Sequence, residues 1–204
     1  MLLDLTTLSP NRVYFTLIQT LIPRPVAWVL SDNGDGGCNL APFSYFNAVC
    51  SDPPLMMLSI GKKADASLKD TRRNIVERGH FVIHIAHREL LPALNASAAE
   101  LPAGRSELAV GGLATAAFGD FPLPRLADCR VAYGCRLSQL IELGPLPQAL
   151  ILGQVEQVYI DDAVVELGEA GRFKVDAHRL DPVSRLGGDE YGLLGDIVTL
   201  PRPR

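Results

Sequence analysis

The chain has 204 residues, of which 48% are hydrophobic and 21% charged, a composition typical of a protein with a sizeable core. Acidic residues (23) outnumber lysine plus arginine (19), and the resulting net charge of −4 argues against nucleic acid as the main partner, because a phosphate backbone needs a basic surface. With no signal-peptide pattern at the start and no run of about 18 apolar residues, residues 1–204 are expected to form one cytoplasmic domain.

The first fifty residues predict a short helix and two strands joined by a tight turn. Residues 11–20 can form the helix, and Pro25–Leu30 is a strand expected to be buried on both faces. Residues 32–37 are rich in Asn and Gly, which tolerate positive φ and so favour a turn. The strand that resumes over residues 38–47 is irregular because Pro42 interrupts it.

The rest of the chain predicts more strands than helices. Residues 67–78 have a helical pattern, with Ser67 as the N-cap and Gly79 at the C-cap position. A second short helix is predicted over 88–99, and a glycine- and proline-rich tail over 185–204 is expected to wrap the domain. Strands are predicted over residues 55–60, 81–86, 129–141, 148–160, 164–167 and 173–175.

About seven or eight strands and two to four helices are therefore expected, without the alternation of strands and helices that a doubly wound sheet requires. This count favours a mainly β fold, a barrel with peripheral helices.

The start of the predicted helix at residues 67–74 is the first candidate site. A helix N-terminus offers unpaired N–H groups and a partial positive charge, and Lys69 and Thr71 lie in its first turn, where they can reach a phosphate. Lys62 and Lys63 add two cations just upstream. The alternative is a capped surface helix with a basic face. The segment lacks the GxxxxGK[ST] pattern of a Walker loop.

Residues 39–47 form the second candidate site. They combine a proline, two amides, hydroxyls and aromatic rings, which is the mixture of polar edges and apolar faces that a flat heteroaromatic ligand needs. Trp28 and Ser31 of the preceding strand are placed to line the same cavity. The alternative is an edge strand that enters a loop.

Metal and hydrolase chemistry are not expected. His80 and His84 have i, i+4 spacing, but the alternating apolar residues around them indicate a strand, which separates the two rings by about 13 Å. The four cysteines form no CxxC pair and are expected to be free thiols. A GxSxG nucleophile elbow is also absent from the sequence.

Four blocks follow one another along the chain: PRPVAWVLS (23–31), NLAPFSYFN (39–47), DPP (52–54) and KDT (69–71) with Asn74. In this order they resemble the flavin-reductase-like family, to which flavoredoxins and the reductase components of two-component monooxygenases belong. The tail is similar at Arg185–Gly188, Tyr191 and the closing Arg202-Pro203.

The resemblance implies an FMN-binding split β-barrel that forms a homodimer, with the flavin near the subunit interface. It implies that the isoalloxazine ring and ribityl chain are lined by Trp28, Val29, Leu30, Ser31 and the segment Asn39–Ser44, including Ala41 and Pro42. It implies further that the phosphate is held by Ser44, Lys69 and Thr71, with Arg185. Asp70 is expected to cap or orient this group, and Asn74 to support the loop.

The implied activity is that of an NAD(P)H:flavin oxidoreductase that supplies electrons to an acceptor or a partner monooxygenase. No catalytic side chain is assigned, because the flavin carries the reaction. The alternatives are a flavoredoxin-like electron carrier without direct NAD(P)H turnover, a barrel whose flavin site has decayed, and an activity like that of pyridoxamine-phosphate oxidases.

Overall fold

The structure is a computed structural model that describes residues 1–63, 65–99, 101, 106–145, 148–168, 172–201 and 203. Arg202, which belongs to the tail segment that resembles the family, lies outside these residues. The α-helices are α1 (Pro10–Thr20), α2 (Asp70–Arg78), α3 (Leu91–Ala96), α4 (Glu107–Gly111) and α5 (Ala177–Leu180), with 3₁₀ turns at Leu5–Thr7, Arg88–Leu90 and Asp162–Val164.

The strands outnumber the helices, as predicted, and most of their residues belong to one sheet. In chain order they are β1 (Arg24–Pro25), β2 (Ala27–Asp32), β3 (Cys38–Phe43), β4 (Phe46–Ser51), β5 (Pro54–Ile60), β6 (His80–Ile85), β7 (Thr115–Ala116), β8 (Arg125–Leu126), β9 (Val131–Leu143), β10 (Gln148–Ile160), β11 (Val165–Leu167), β12 (Phe173–Val175), β13 (Ser184–Arg185) and β14 (Tyr191–Gly192).

The central sheet has seven antiparallel strands in the order β3-β2-β6-β9-β10-β5-β4. Its two edge strands, β3 and β4, are consecutive in the chain and are joined only by Ser44 and Tyr45. This link spans at most about 11 Å, so the end of β3 and the start of β4 must lie close together. The sheet therefore curls to bring its two edges near each other. Among the described strands these two edges are not paired with each other, so the barrel is split rather than closed.

The core has two parts because strand residues alternate between the two faces of the curled sheet. On β2, Ala27 and Val29 belong to one cluster, inside the curl, with Phe81. Trp28 and Leu30 belong to the other, on the outer face beneath α3 and the segment before β8. β2 is therefore buried on both faces, as predicted.

The helix predicted over 67–78 begins later than expected. α2 starts at Asp70, with Lys69 as its N-cap residue, and Ser67 does not cap it. The reason is local competition, since the Ser67 backbone N–H and hydroxyl both donate to the carboxylate of Asp65. The predicted C-cap is confirmed: Gly79 adopts φ +78°, a conformation that favours glycine.

His80 and His84 lie on strand β6, so the strand predicted around them is confirmed. All four cysteines are free thiols, and burial raises the pKa of Cys129 to about 12.

Candidate ligand-binding site

A cavity of about 610 Å³ lies where the start of α2 meets β3 and the segment after α3. This volume is within the range of small-molecule sites. The cavity is lined by Asn33, Asp35, Asn39, Ala41, Pro42, Phe43, Lys63, Lys69, Asp70, Thr71, Arg73, Ser97, Ala98, Ala99, Leu101 and Glu107.

The N-terminus of α2 opens onto this cavity without a side-chain cap. The backbone N–H groups of its first turn are therefore available to an anion, and the helix dipole favours negative charge at this position. Lys69 adds a full positive charge. Its ammonium lies 5.7 Å from the centre of the Phe43 ring, and among the described residues no carboxylate forms an ion pair with it.

A carboxylate beside Lys69 is already neutralised by other cations. Asp70 Oδ2 pairs with Lys63 Nζ at 2.8 Å, and Asp70 Oδ1 pairs with Arg73 at 2.5 Å. Although burial raises the pKa of Asp70, the hydrogen bond and charge of Lys63, followed by those of Arg73, lower it overall. Because these two cations are committed to Asp70, Lys69 is left to interact with a ligand.

Buried amides connect α2 to the strands behind the cavity. Asn39 Nδ2 donates to Thr71 Oγ1 at 2.8 Å, so the Thr71 hydroxyl keeps its own proton for another acceptor. Asn74 Nδ2 donates to Ser31 Oγ and to Asn33 Oδ1, at 3.2 and 2.9 Å. The predicted support by Asn74 thus takes the form of a link between α2 and the turn after β2.

Six of the predicted site residues meet on the cavity wall. They come from two segments about thirty positions apart in the sequence, the edge strand β3 and the start of α2. The six are Asn39, Ala41, Pro42, Lys69, Asp70 and Thr71.

Four predicted ring contacts, Trp28, Val29, Leu30 and Ser31, have no exposed surface and do not line the cavity. The reason is that β2 is a central strand, flanked by β3 and β6. Instead, the Trp28 indole N–H donates to Ser97 Oγ at 2.8 Å and so fixes a residue of the cavity wall. That these four residues contact the ligand directly stays a prediction, and their complete burial does not favour it.

Ser44 and Arg185, two predicted phosphate ligands, also lie away from the cavity lining. Ser44 Oγ accepts a hydrogen bond from Arg24 Nε at 3.3 Å. The Arg185 guanidinium donates to the Gly188 carbonyl and stacks 4.5 Å from the centre of the Tyr191 ring. The Arg185 contacts therefore lie within the tail, whereas Ser44 is held by Arg24, whose guanidinium also donates to the Leu186 carbonyl of the tail.

Sequence reasoning missed part of the cavity wall. The sequence assigns Arg73 to a helix but does not mark it as a cavity residue, and it predicts no element around Glu107. The helical spacing of Lys69 and Arg73 is a signal for the first. No local pattern marks Ser97, Ala98, Ala99 or Leu101, which follow the short helix α3.

Comparison with known proteins gives the family context of this cavity. The model of the flavin reductase like domain matches residues 19–171. A curated protein of Halalkalibacterium halodurans is 35% identical over the whole chain and 97% of its own length.

No helix among the described residues is long and apolar enough to cross a membrane.

Two solved structures are similar over almost the whole chain. Nitrilotriacetate monooxygenase component B from Bacillus cereus is 34% identical, with a TM-score of 0.88 and 98% of both chains covered. A putative flavin reductase with a split barrel domain from Shewanella frigidimarina has a TM-score of 0.82 at 21% identity, with 98% of this chain and 96% of that chain covered. This second likeness confirms the split-barrel fold.

Proposed function

Since the chain belongs to the flavin reductase like domain family, we propose that its cavity binds FMN and that the protein reduces this flavin with NAD(P)H. Membership of this family and the similarity to nitrilotriacetate monooxygenase component B both support a flavin-related oxidoreductase activity. The observation that carries the proposal is the ammonium of Lys69, which stands at an uncapped helix start on a cavity of flavin-compatible size. A phosphate is the group that this combination of charge and N–H donors binds best.

The charge at the start of α2 matches a phosphomonoester. Lys63, Lys69 and Arg73 carry three positive charges and Asp70 one negative charge, so the local balance is 3 − 1 = +2. A phosphomonoester carries a charge of about −1.5 to −2 at neutral pH, so one such group balances the charge at this end of the cavity. This balance favours FMN over riboflavin as the ligand.

The residues of the chain bind and orient, while the flavin, when bound, supplies the hydride-accepting chemistry. Lys69 and the first N–H groups of α2 hold the phosphate, and Thr71 donates its free hydroxyl proton. Ala41 and Pro42 offer an apolar strand surface to the flat ring. Asn39 keeps Thr71 in place through its 2.8 Å hydrogen bond.

We propose further that the protein is a homodimer. α1 buries only Ile18 within the chain, although its sequence is rich in apolar residues. Tyr14, Phe15 and Leu21 are all at least half exposed, as is Val49 on the edge strand β4. Exposed aromatic and aliphatic side chains at this density mark a contact surface.

Anaerobic mixing of the FMN-loaded protein with NADH or NADPH tests the reductase. Rapid bleaching of the visible flavin absorbance supports it, and the faster of the two donors identifies the preferred one. Bound FMN that neither donor bleaches contradicts NAD(P)H turnover and favours the flavoredoxin-like electron carrier. A colourless protein that takes up no added FMN contradicts both.

A further inference from the structure

Glu107 is a cavity residue that lies outside the motifs implied by the family resemblance. It is the first residue of α4, and its Oε2 accepts a hydrogen bond from the backbone N–H of Leu40 on β3 at 3.1 Å. The preceding Ser106 hydroxyl donates to the carbonyl of Cys38 at 3.1 Å. These two side chains anchor the start of α4 to the edge strand of the sheet.

The anchored edge of β3 has few hydrogen-bond donors. Because the Leu40 N–H points away from β2, alternation along the strand gives Pro42, two residues later, the same outward direction. Proline has no N–H, and the N–H of Leu40 is taken by Glu107. At residues 40 and 42 the outward side of β3 therefore presents carbonyl acceptors but no free backbone donor.

Glu107 itself has acceptor capacity to spare. A carboxylate accepts up to about four hydrogen bonds, and within the described part of the chain only the Leu40 N–H donates to this one. Asp70, in contrast, is occupied by Lys63 and Arg73. The cavity is lined by three carboxylates, and Asp35 accepts the backbone N–H of Gly37 in the turn after β2. Asp70 is neutralised at the cationic end, whereas Glu107 retains its negative charge and lone pairs beside β3.

A ligand group that binds beside Glu107 must donate hydrogen bonds and must not be an anion. Phosphate fails both conditions, whereas a hydroxyl group meets them. We propose that Glu107 is a binding residue for the polyol chain of the ligand, and that it accepts a hydrogen bond from a ribityl hydroxyl of FMN. This inference rests on the proposed function and adds an orientation, with the phosphate at Lys69 and the hydroxylated chain along β3 towards Glu107.

The test compares three flavins on the full-length protein: FMN, riboflavin, which lacks the phosphate, and lumiflavin, which lacks the chain. We expect Glu107→Leu to weaken FMN and riboflavin binding by the same factor, about tenfold, and to leave lumiflavin binding unchanged. Flavin fluorescence titration measures all three affinities. Glu166→Gln, at an exposed carboxylate that pairs with Lys174 on β12, is the control and should change none of them.

A second variant separates binding from folding. Glu107→Gln can still accept the Leu40 N–H through its amide oxygen, so we expect a wild-type urea midpoint together with a loss of FMN affinity of about threefold. Unchanged FMN affinity in both variants overturns the inference. An equal loss for lumiflavin also overturns it, since the contact is then with the ring.

The outcome for Glu107 can be distinguished from that of the proposed function. Wild-type protein that binds FMN, and loses affinity when Lys69 is removed, supports the proposed site whatever Glu107 does. A Glu107→Leu protein that binds FMN normally but has a raised KM for the nicotinamide donor overturns the ribityl contact and leaves the flavin site intact. Wild-type protein that binds no flavin overturns both.

Discussion

Lys69 is the residue on which the proposed flavin site depends most. Its ammonium is the cavity cation that Asp70 does not neutralise, and it stands at the start of α2. A charge-assisted hydrogen bond contributes about 1.5–3 kcal/mol, so Lys69→Ala should weaken FMN binding about 10- to 150-fold. Fluorescence titration measures the change.

Two controls make this prediction specific to the phosphate. Riboflavin affinity should be the same in wild type and Lys69→Ala, because riboflavin has no phosphate for Lys69 to bind. Lys174→Ala removes an exposed lysine on β12 and should leave FMN affinity unchanged. An unaltered FMN affinity in Lys69→Ala removes Lys69 from the site.

His84 predicts a pH dependence of stability. Its ring is fully buried, with Nδ1 at 3.0 Å from the Trp28 carbonyl and Nε2 accepting the N–H of Leu126 at 2.9 Å, which requires the neutral form. Burial, with a smaller contribution from the charge of Arg125, lowers the pKa of His84 to about 4. Because this pKa lies below the unfolded value, the contribution of His84 to stability is complete above about pH 6.5 and is lost as the pH falls towards 4.

The expected loss is about 3 kcal/mol of unfolding free energy between pH 6.5 and 4. Urea denaturation across this range should show it in wild type and in His178→Gln, which changes an exposed histidine. His84→Gln should be less stable at neutral pH but should have a shallower pH dependence. Parallel curves for the wild type and His84→Gln contradict the prediction.

Lys69 and Leu30 show which site residues can be predicted from the sequence and which cannot. The helical pattern is a local signal, so the sequence predicts Lys69 near a helix start even though the predicted cap, Ser67, is wrong. The family resemblance implies that Leu30 contacts the ligand, although Leu30 is fully buried. Whether a strand residue faces a cavity depends on which strands flank it, and that is a long-range property.

At the scale of elements, Gly153 on β10 allows the sheet to pack closely around the Phe81 ring of β6. An added Cβ would lie 2.4 Å from Cζ of the fully buried Phe81 ring. Gly153→Ala should therefore displace Phe81 and destabilise the protein by about 1–3 kcal/mol. Gly195→Ala, at a position with nothing within 4 Å, is the control, and a urea midpoint as low as that of Gly153→Ala would contradict the packing explanation.

The long strands and α1 could be predicted from the sequence because their patterns extend over ten or more residues. α4 could not, because it has five residues and its position depends on hydrogen bonds of Ser106 and Glu107 to β3. The later start of α2 has the same kind of cause, a side-chain contact between Asp65 and Ser67 that competes with the predicted cap. Short elements are therefore set by their partners rather than by their own sequences.

At the scale of the whole molecule, the curl of the sheet brings the cavity together. β3 and β4 are neighbours in the chain but lie at opposite ends of the sheet order. Strand signals alone predict neither this order nor the contact between β3 and the start of α2, so the sequence reached the split barrel only through the family resemblance. The barrel then fixes the distance between the two candidate segments.

The curled sheet leaves α1 on the outside, where it contributes little to the core of its own chain. Only Ile18 of this helix is buried, while the Tyr14 and Phe15 rings are each 50% exposed and lie 5.6 Å apart. An interface of standard size removes about 1,600 Å² of surface from water, and a paired α1 with its flanking apolar residues is a suitable centre for it. We therefore expect the wild-type protein to elute as a dimer whose mass is confirmed by light scattering.

Phe15→Glu should convert that dimer to a monomer, because dimerisation would bury a carboxylate without a partner. Leu167→Glu is the matched control, since Leu167 is 90% exposed on β11 and should leave the dimer intact. If both variants dissociate, the effect is one of general charge rather than of α1. A wild-type chain that stays monomeric over the concentration range of the assay contradicts the dimer, and the exposed rings of α1 then require a different partner.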